Sequence, residues 1–236
     1  MNGAAGVTRA DGGLLLGIET AAGLVGVALA DESGPLAGAW LRSERRHAET
    51  LAPAIAHVLA QAGASPADLA AVAVDVGPGL FTGLRVGVAT AQGLAEGLGV
   101  GIVAVTSVEV LVREAYDAGW AGPVAAVVDA RRGEVFAARC AGPGEVVGAP
   151  WRDAPGDLAS KLAAPGTLCV GTGAQRYADV LARAGLRIAA ISSPSARALV
   201  SVAADRLASG GAPSAPAAVR PVYLREADAR INWVQR

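Results

Sequence analysis

The chain has 236 residues, enough for one large domain or two small ones with a real core. Hydrophobic residues make up 53% of it, yet much of this is Ala and Val, and no run of about 20 apolar residues is free of charge, so no membrane span is expected. A net charge of −1 argues against a large independent nucleic-acid surface, which needs an excess of clustered Lys or Arg.

Residues 1–13 lack the apolar core of a signal peptide and read as a disordered leader, with a cytoplasmic location expected. Residues 14–20 form an apolar run long enough for a buried strand. Two more strand-like runs, 24–31 and 34–43, follow across short turns, which gives an antiparallel meander. The basic spot "RSERR" (Arg42, Arg45, Arg46) reads either as a solvated helix start or as part of an RNA-facing rim. A helix through 47–63 places Leu51, Ile55, Val58, Leu59 and Ala62 on one stripe and ends at Gly63. Pro53 fits its first turn if the helix begins near Thr50, and predicts a kink if it begins near Glu44. The segment 69–76 is a buried strand, 82–98 a helix and 101–107 another buried strand. A meander followed by helical crossovers is an α/β fold.

The chain then starts again. Residues 124–151 align without a gap under 14–41 at an offset of 110, placing Glu19 on Asp129, Gly23 on Gly133 and Gly34 on Gly144. Two duplicated domains follow, 14–120 and 122–208, the second reduced in its helical half. The second continues through a strand, Gly-rich turn and helix over 168–185, a strand over 187–192 and a closing helix from Ser195. A Pro/Gly/Ser-rich linker (209–217) and a tail (218–236) complete the chain, with Tyr223 and Trp233 expected to dock the tail on the body.

An acid ending the first strand of each domain would let two sheets hold a magnesium nucleotide between them. The residues for such a cleft are Glu19, Thr20, Asp129, Arg131 and Arg132. Arg131 and Arg132 stand where phosphate wants bare backbone, so the cleft reads as vestigial or as one that binds nucleotide unaided. His47 and His57 do not share a helix face as a metal pair would. Cys140 and Cys169 sit in apolar runs with no metal or redox spacing and read as buried thiols. No nucleophile elbow or P-loop lysine is present.

The most distinctive segment is 77–99. Gly77-Pro78-Gly79 could aim amides at an anion. Beyond it, Gly83, Gly87, Ala91, Ala95 and Gly99 repeat at every fourth position. Each helical Gly costs roughly 1 kcal/mol against Ala, so the ridge must repay several kcal/mol in close packing. Its neighbour is either the chain's own sheet and preceding helix or a partner protein. Arg85, Gln92 and Glu96 exclude a lipid setting.

These residues closely resemble the TsaB (YeaZ) family. The resemblance rests on "HAETLAPAIAHVLAQAG", "VDVGPGLFTGLRVGVATAQGLAEGLGVGIVAVTSVE", "DARRGEVFAA" and, more loosely, "PVYLRE". It implies a two-domain actin-like/RNase H-like fold of the actin, hexokinase and acetate kinase superfamily. It also implies a non-catalytic scaffold that binds and activates TsaD, the transferase that makes threonylcarbamoyladenosine beside the anticodon of ANN-reading tRNAs. TsaE, a small ATPase, is the third member; tRNA is reached indirectly, and a homodimer is an expected state of the chain alone. The resemblance implies no intrinsic cofactor, with ATP and magnesium placed at the complex with TsaD. It places the TsaD contact on helices 44–62 and 82–98, hence on His47, Leu51, Ile55, Thr82, Gly83, Arg85, Val86, Gly87, Thr90, Ala91 and Leu94. TsaD's H-x-x-x-H metal pair is absent here, and Glu19-Thr20-Ala21 replaces the usual D-T-S. The rival reading is a stand-alone ATP-binding enzyme of the same superfamily.

Overall fold

The computed structural model describes residues 13–42, 47–162 and 166–223. The leader, most of the basic spot at 42–46, and Trp233 lie outside these residues, as does the side chain of His47.

Ten strands form two five-stranded sheets among the described residues. The first contains β1 (Leu14–Glu19), β2 (Leu24–Asp31), β3 (Gly34–Arg42), β4 (Leu69–Asp75) and β5 (Gly101–Val105), in the order β3-β2-β1-β4-β5. The second contains β6 (Val124–Arg131), β7 (Glu134–Cys140), β8 (Trp151–Asp153), β9 (Leu168–Val170) and β10 (Arg187–Ile188), in the order β10-β9-β6-β7-β8. Each sheet runs antiparallel through its meander and parallel through its crossover strands. The two strand orders are therefore the same. The gap-free offset of 110 already slips across the first hairpin: Glu19 pairs with Gly26, whereas Asp129 pairs with Val135, one residue short of the offset. Val27 pairs with Ala39 in the first sheet, whereas Ala137 pairs with Trp151 in the second, two residues further along. The strand expected over 187–192 is only Arg187–Ile188.

Among the described residues seven α-helices pack on these sheets: α1 (His47–Gln61), α2 (Phe81–Leu98), α3 (Ser107–Asp117), α4 (Pro155–Leu162), α5 (Thr172–Arg176), α6 (Ala178–Arg183) and α7 (Ala196–Ala208). Alternation along the strands decides which face each helix covers. Leu16, Ile18, Val72 and Val74 face α1 and α2, while Leu15, Ala71 and Ala73 face α7. Ala126 and Val128 face α3, and Ala125 and Val127 face α4, α5 and α6. Pro53 sits in the second turn of α1, on its exposed side.

Two features depart from the sequence reading. α7, expected to close the second domain, lies on the first sheet, because Leu199, Val200 and Ala203 fill the space over its small residues. The linker is no free connector either. Ser214 exchanges main-chain hydrogen bonds with Ile102 at the edge of β5, and Gln92 Nε2 donates to the carbonyls of Pro216 and Val219, both at 3.0 Å. Residues 213–223 thus form a strap along α2.

α3 is not among the helices that the sequence pattern predicts, although Gly119 stops it just past its C-cap at φ 87°. It starts on a capping box: Thr106 Oγ1 accepts from the Glu109 amide while Glu109 Oε2 accepts from the Thr106 amide at 2.8 Å. With α7 it fills the space between the two sheets, pinned by Arg206 to Glu109 at 2.6 Å and by Arg113 to Asp205.

Candidate functional site

The small-residue ridge of α2 faces inward. Gly83, Gly87, Ala91 and Ala95 are buried, and a Cβ on Gly87 would overlap Thr20 Oγ1 and meet Ile18. Ile18 and Thr20 lie on β1 and in the turn after it, so the close neighbour is the chain's own sheet. This corrects the placing of Gly83, Gly87 and Ala91 on a partner surface. Leu51 and Ile55 need the same correction: both are buried in the core beneath α1 and α2. Val86, Thr90 and Leu94 are half-buried between the helices, and Thr82 and Arg85 are exposed.

The outward faces are also built of small residues. On α1, Ala48, Ala52, Ala56 and Ala60 are exposed at every fourth position. On α2, Ala89, Gly93 and Gly97 are exposed in line with Arg85, and a Cβ on Gly93 or Gly97 would meet nothing within 4 Å. A second helix pair could therefore come close to this face.

The Gly77-Pro78-Gly79 turn is a packing joint. The Leu80 amide donates to the Ala21 carbonyl at 2.7 Å, and a Cβ on Gly79 would collide with Ala21. The Gly77 amide donates to Asp75 Oδ1 at 2.7 Å and the Gly77 carbonyl accepts from Ser107 N. The Gly77 and Leu80 amides are thus spent inside the fold.

Beside this turn, Glu19 and Asp75 end the adjacent parallel strands β1 and β4, and both are fully enclosed. Glu19 Oε1 accepts from the Ala21 amide at 2.7 Å, and Asp75 Oδ1 also accepts from Ser107 Oγ at 2.7 Å. Glu19 Oε2 and Asp75 Oδ2 are buried with no donor N–H or O–H to accept from. Burial, then the charge of Asp75, then the hydrogen bond between the two carboxyls, hold the Glu19 proton well above the usual carboxylate range. This favours the protonated form of Glu19.

The predicted nucleotide residues are consequently divided. Thr20 Oγ1 donates to the Gly83 carbonyl at 2.8 Å and is buried with Glu19. Asp129 and Arg131 do line a cleft of about 570 Å³ between the sheets, together with Ala21, Gly79, Phe81 and Thr172. Asp129 Oδ2 is held by Arg176 at 3.3 Å and by Arg131 at 3.7 Å. Arg131 and Arg132 form the hairpin turn at φ 63° and 54°, which points the turn by backbone shape. A magnesium nucleotide does not fit this set: Glu19 is enclosed in the fold, and Asp129 is paired with two arginines. No group of three metal-ligating side chains occurs among the described residues. Asp75 was missed as a partner of Glu19. Its only signal in the sequence is an acid ending an apolar strand directly before the glycine turn.

Cys140 and Cys169 are free and buried, and burial pushes the Cys169 thiol up to about 12. No described helix is long and apolar enough to cross a membrane.

A family model described as TsaD, tRNA N6-adenosine threonylcarbamoyltransferase, matches residues 42–177. The tRNA threonylcarbamoyladenosine biosynthesis protein TsaB of Escherichia coli is 30% identical over 93% of this chain and 96% of its own length. An uncharacterized protein of Mycobacterium tuberculosis is 35% identical over 79% of this chain and 78% of its own. The crystal structure of a Pseudomonas aeruginosa protein with similarity to peptidase YeaZ superposes with a TM-score of 0.81, at 32% identity, over 90% of this chain and all of that one. The chain therefore belongs to the TsaB (YeaZ) family, paralogous to TsaD.

Proposed function

We propose that the chain is the non-catalytic partner of a TsaD-type subunit in the complex that places threonylcarbamoyladenosine in tRNA, and that it docks through the outward faces of α1 and α2. The observation that carries this reading is the match to TsaB over nearly its whole length. Two structural features support it. Of the acids that would hold a magnesium nucleotide, Glu19 is buried against Asp75 and Asp129 is paired with arginines, which disfavours a stand-alone ATP-dependent enzyme. The outward faces of α1 and α2 offer smooth rows of Ala and Gly beside exposed Thr82 and Arg85.

On this reading the TsaE-type ATPase and the tRNA are reached through the TsaD-type subunit, and ATP with magnesium belongs to the complex. The lone chain can pair with itself through the same face. The matching strand orders of the two sheets and the offset of 110 support an actin-like fold whose second half is a reduced copy.

Sedimentation of the chain with the TsaD-type subunit of the same organism tests the docking face. Gly93→Arg fills open space and should not lower melting, while lowering partner affinity by about 100-fold or more, since it drives an unpaired charge into a close helix contact. Unchanged affinity would place the interface elsewhere.

A further inference from the structure

We propose that the C-terminal strap completes the docking face, with Phe81, Arg85 and Tyr223 as its anchor for the TsaD-type subunit. This rests on the reading of α1 and α2 given above. Rows of Ala and Gly permit close approach but offer little area for each residue. Interface energy concentrates in aromatic and arginine side chains. The chain has only two phenylalanines and three tyrosines, and one of each is exposed at the head of α2. Phe81 is 40% exposed and Tyr223 45%. Their ring centroids are 5.2 Å apart at a tilt of 39°. The Arg85 guanidinium stands 3.7 Å above the Phe81 ring, and its Nε donates to the Tyr223 hydroxyl at 3.0 Å.

The group is held in place from beneath. The Val222 amide donates to the Val76 carbonyl at 2.7 Å, and Val219 is buried in the core shared by α1 and α2. Together with the Gln92 bonds, these contacts fix Tyr223 before any partner arrives, so little ordering cost remains on binding. The cluster is also continuous with the proposed face. Arg85 precedes Ala89 by one i+4 step and Gly93 by two, so it heads the same outward line. A groove of about 500 Å³ between α2 and the strap, lined by Gln92, Gly93, Glu96, Pro216 and Arg220, carries that line onto residues 216–221. The complementary surface is an aliphatic side chain seated against the two tilted rings, with a carboxylate reaching Arg85.

The test uses the full chain with Tyr223→Ala, Tyr223→Phe and Phe81→Ala, titrated against the TsaD-type subunit with Gly93→Arg alongside and melting followed for each. Tyr223→Ala and Phe81→Ala should each weaken binding about tenfold or more, mainly through faster dissociation. Tyr223→Phe keeps the ring and should stay within about threefold, the scale of one lost exposed hydrogen bond. Native affinity for both alanine variants, with Gly93→Arg still defective, overturns the anchor and leaves the docking face standing. Native affinity for all the variants overturns both. If Tyr223→Ala also lowers melting, Phe81→Ala decides, because it leaves the main-chain anchors of the strap in place. Loss of self-pairing with an unchanged partner affinity assigns the cluster to a second copy and overturns the proposal.

Discussion

Glu19 shows how far a single residue can be read. Its sequence position, an acid ending the first strand, suggests a ligand for a metal. The structure puts Asp75 beside it on the next parallel strand, and two carboxyls in a dry site cannot both be charged. Which strand lies next to β1 is a matter of topology, so this pairing was not legible from either residue alone. It has a measurable consequence. Because the native state holds the Glu19 proton above its ordinary value of 4.5, the stabilisation is complete below that value and is lost as pH rises through the native one. Glu109 and Glu114 of α3 add negative charge near the pair, while Ser107 and the Ala21 and Gly77 amides favour the charged forms. Glu19→Gln, whose amide can donate to Asp75 at any pH, should therefore gain on the native chain as pH rises. Melting curves of the two proteins from pH 5 to about 9 should diverge; parallel curves would mean that Glu19 does not keep its proton.

At the scale of elements, α2 carries two period-four rows of small residues. Gly83, Gly87, Ala91 and Ala95 make one, and Ala89, Gly93 and Gly97 make the other. Sequence periodicity shows that close packing is needed but not which row supplies it. The inward row is fixed by the need to seat α2 on Ile18 and Thr20. The two rows should respond oppositely to one methyl group. Gly87→Ala should cost about 1–3 kcal/mol by overpacking, whereas Gly93→Ala should gain about 1 kcal/mol from helix propensity, both read by urea unfolding. Equal effects would contradict the inward and outward assignment. Docking of the tail through Tyr223 was legible, but the pairing of residues 213–217 was not, because Pro, Gly and Ser look the same in a free linker as in an edge that bonds through its backbone. Ending the chain after residue 212 uncovers the β5 edge and Gln92 and should lower melting by roughly 5 °C or more, about 2 kcal/mol for a chain of this size. The meander strands and the helices α1 and α2, stopped at Gly63 and Gly99, were legible, since their patterns are local.

At the scale of the whole molecule, the chain alternates helices and sheets: α1 with α2, the first sheet, α7 with α3, the second sheet, then α4 to α6. The exchange of α7 onto the first sheet was beyond sequence reasoning, because an amphipathic helix does not state which of two similar sheets it will cover. In this arrangement the acids at the inner cleft are enclosed or paired with arginine, and what the molecule offers outward is the flank of its first helix pair. The account therefore places chemistry in the partner and the seat for that partner on α1, α2 and the strap. The most direct measurement is a reconstituted tRNA modification assay containing the TsaD-type subunit and the remaining components, with this chain native, absent, or carrying Gly93→Arg. Product should form only with the native chain, and the chain with tRNA and substrates but without the TsaD-type subunit should give none. Product from the chain without that subunit, or full activity with Gly93→Arg, would contradict the account.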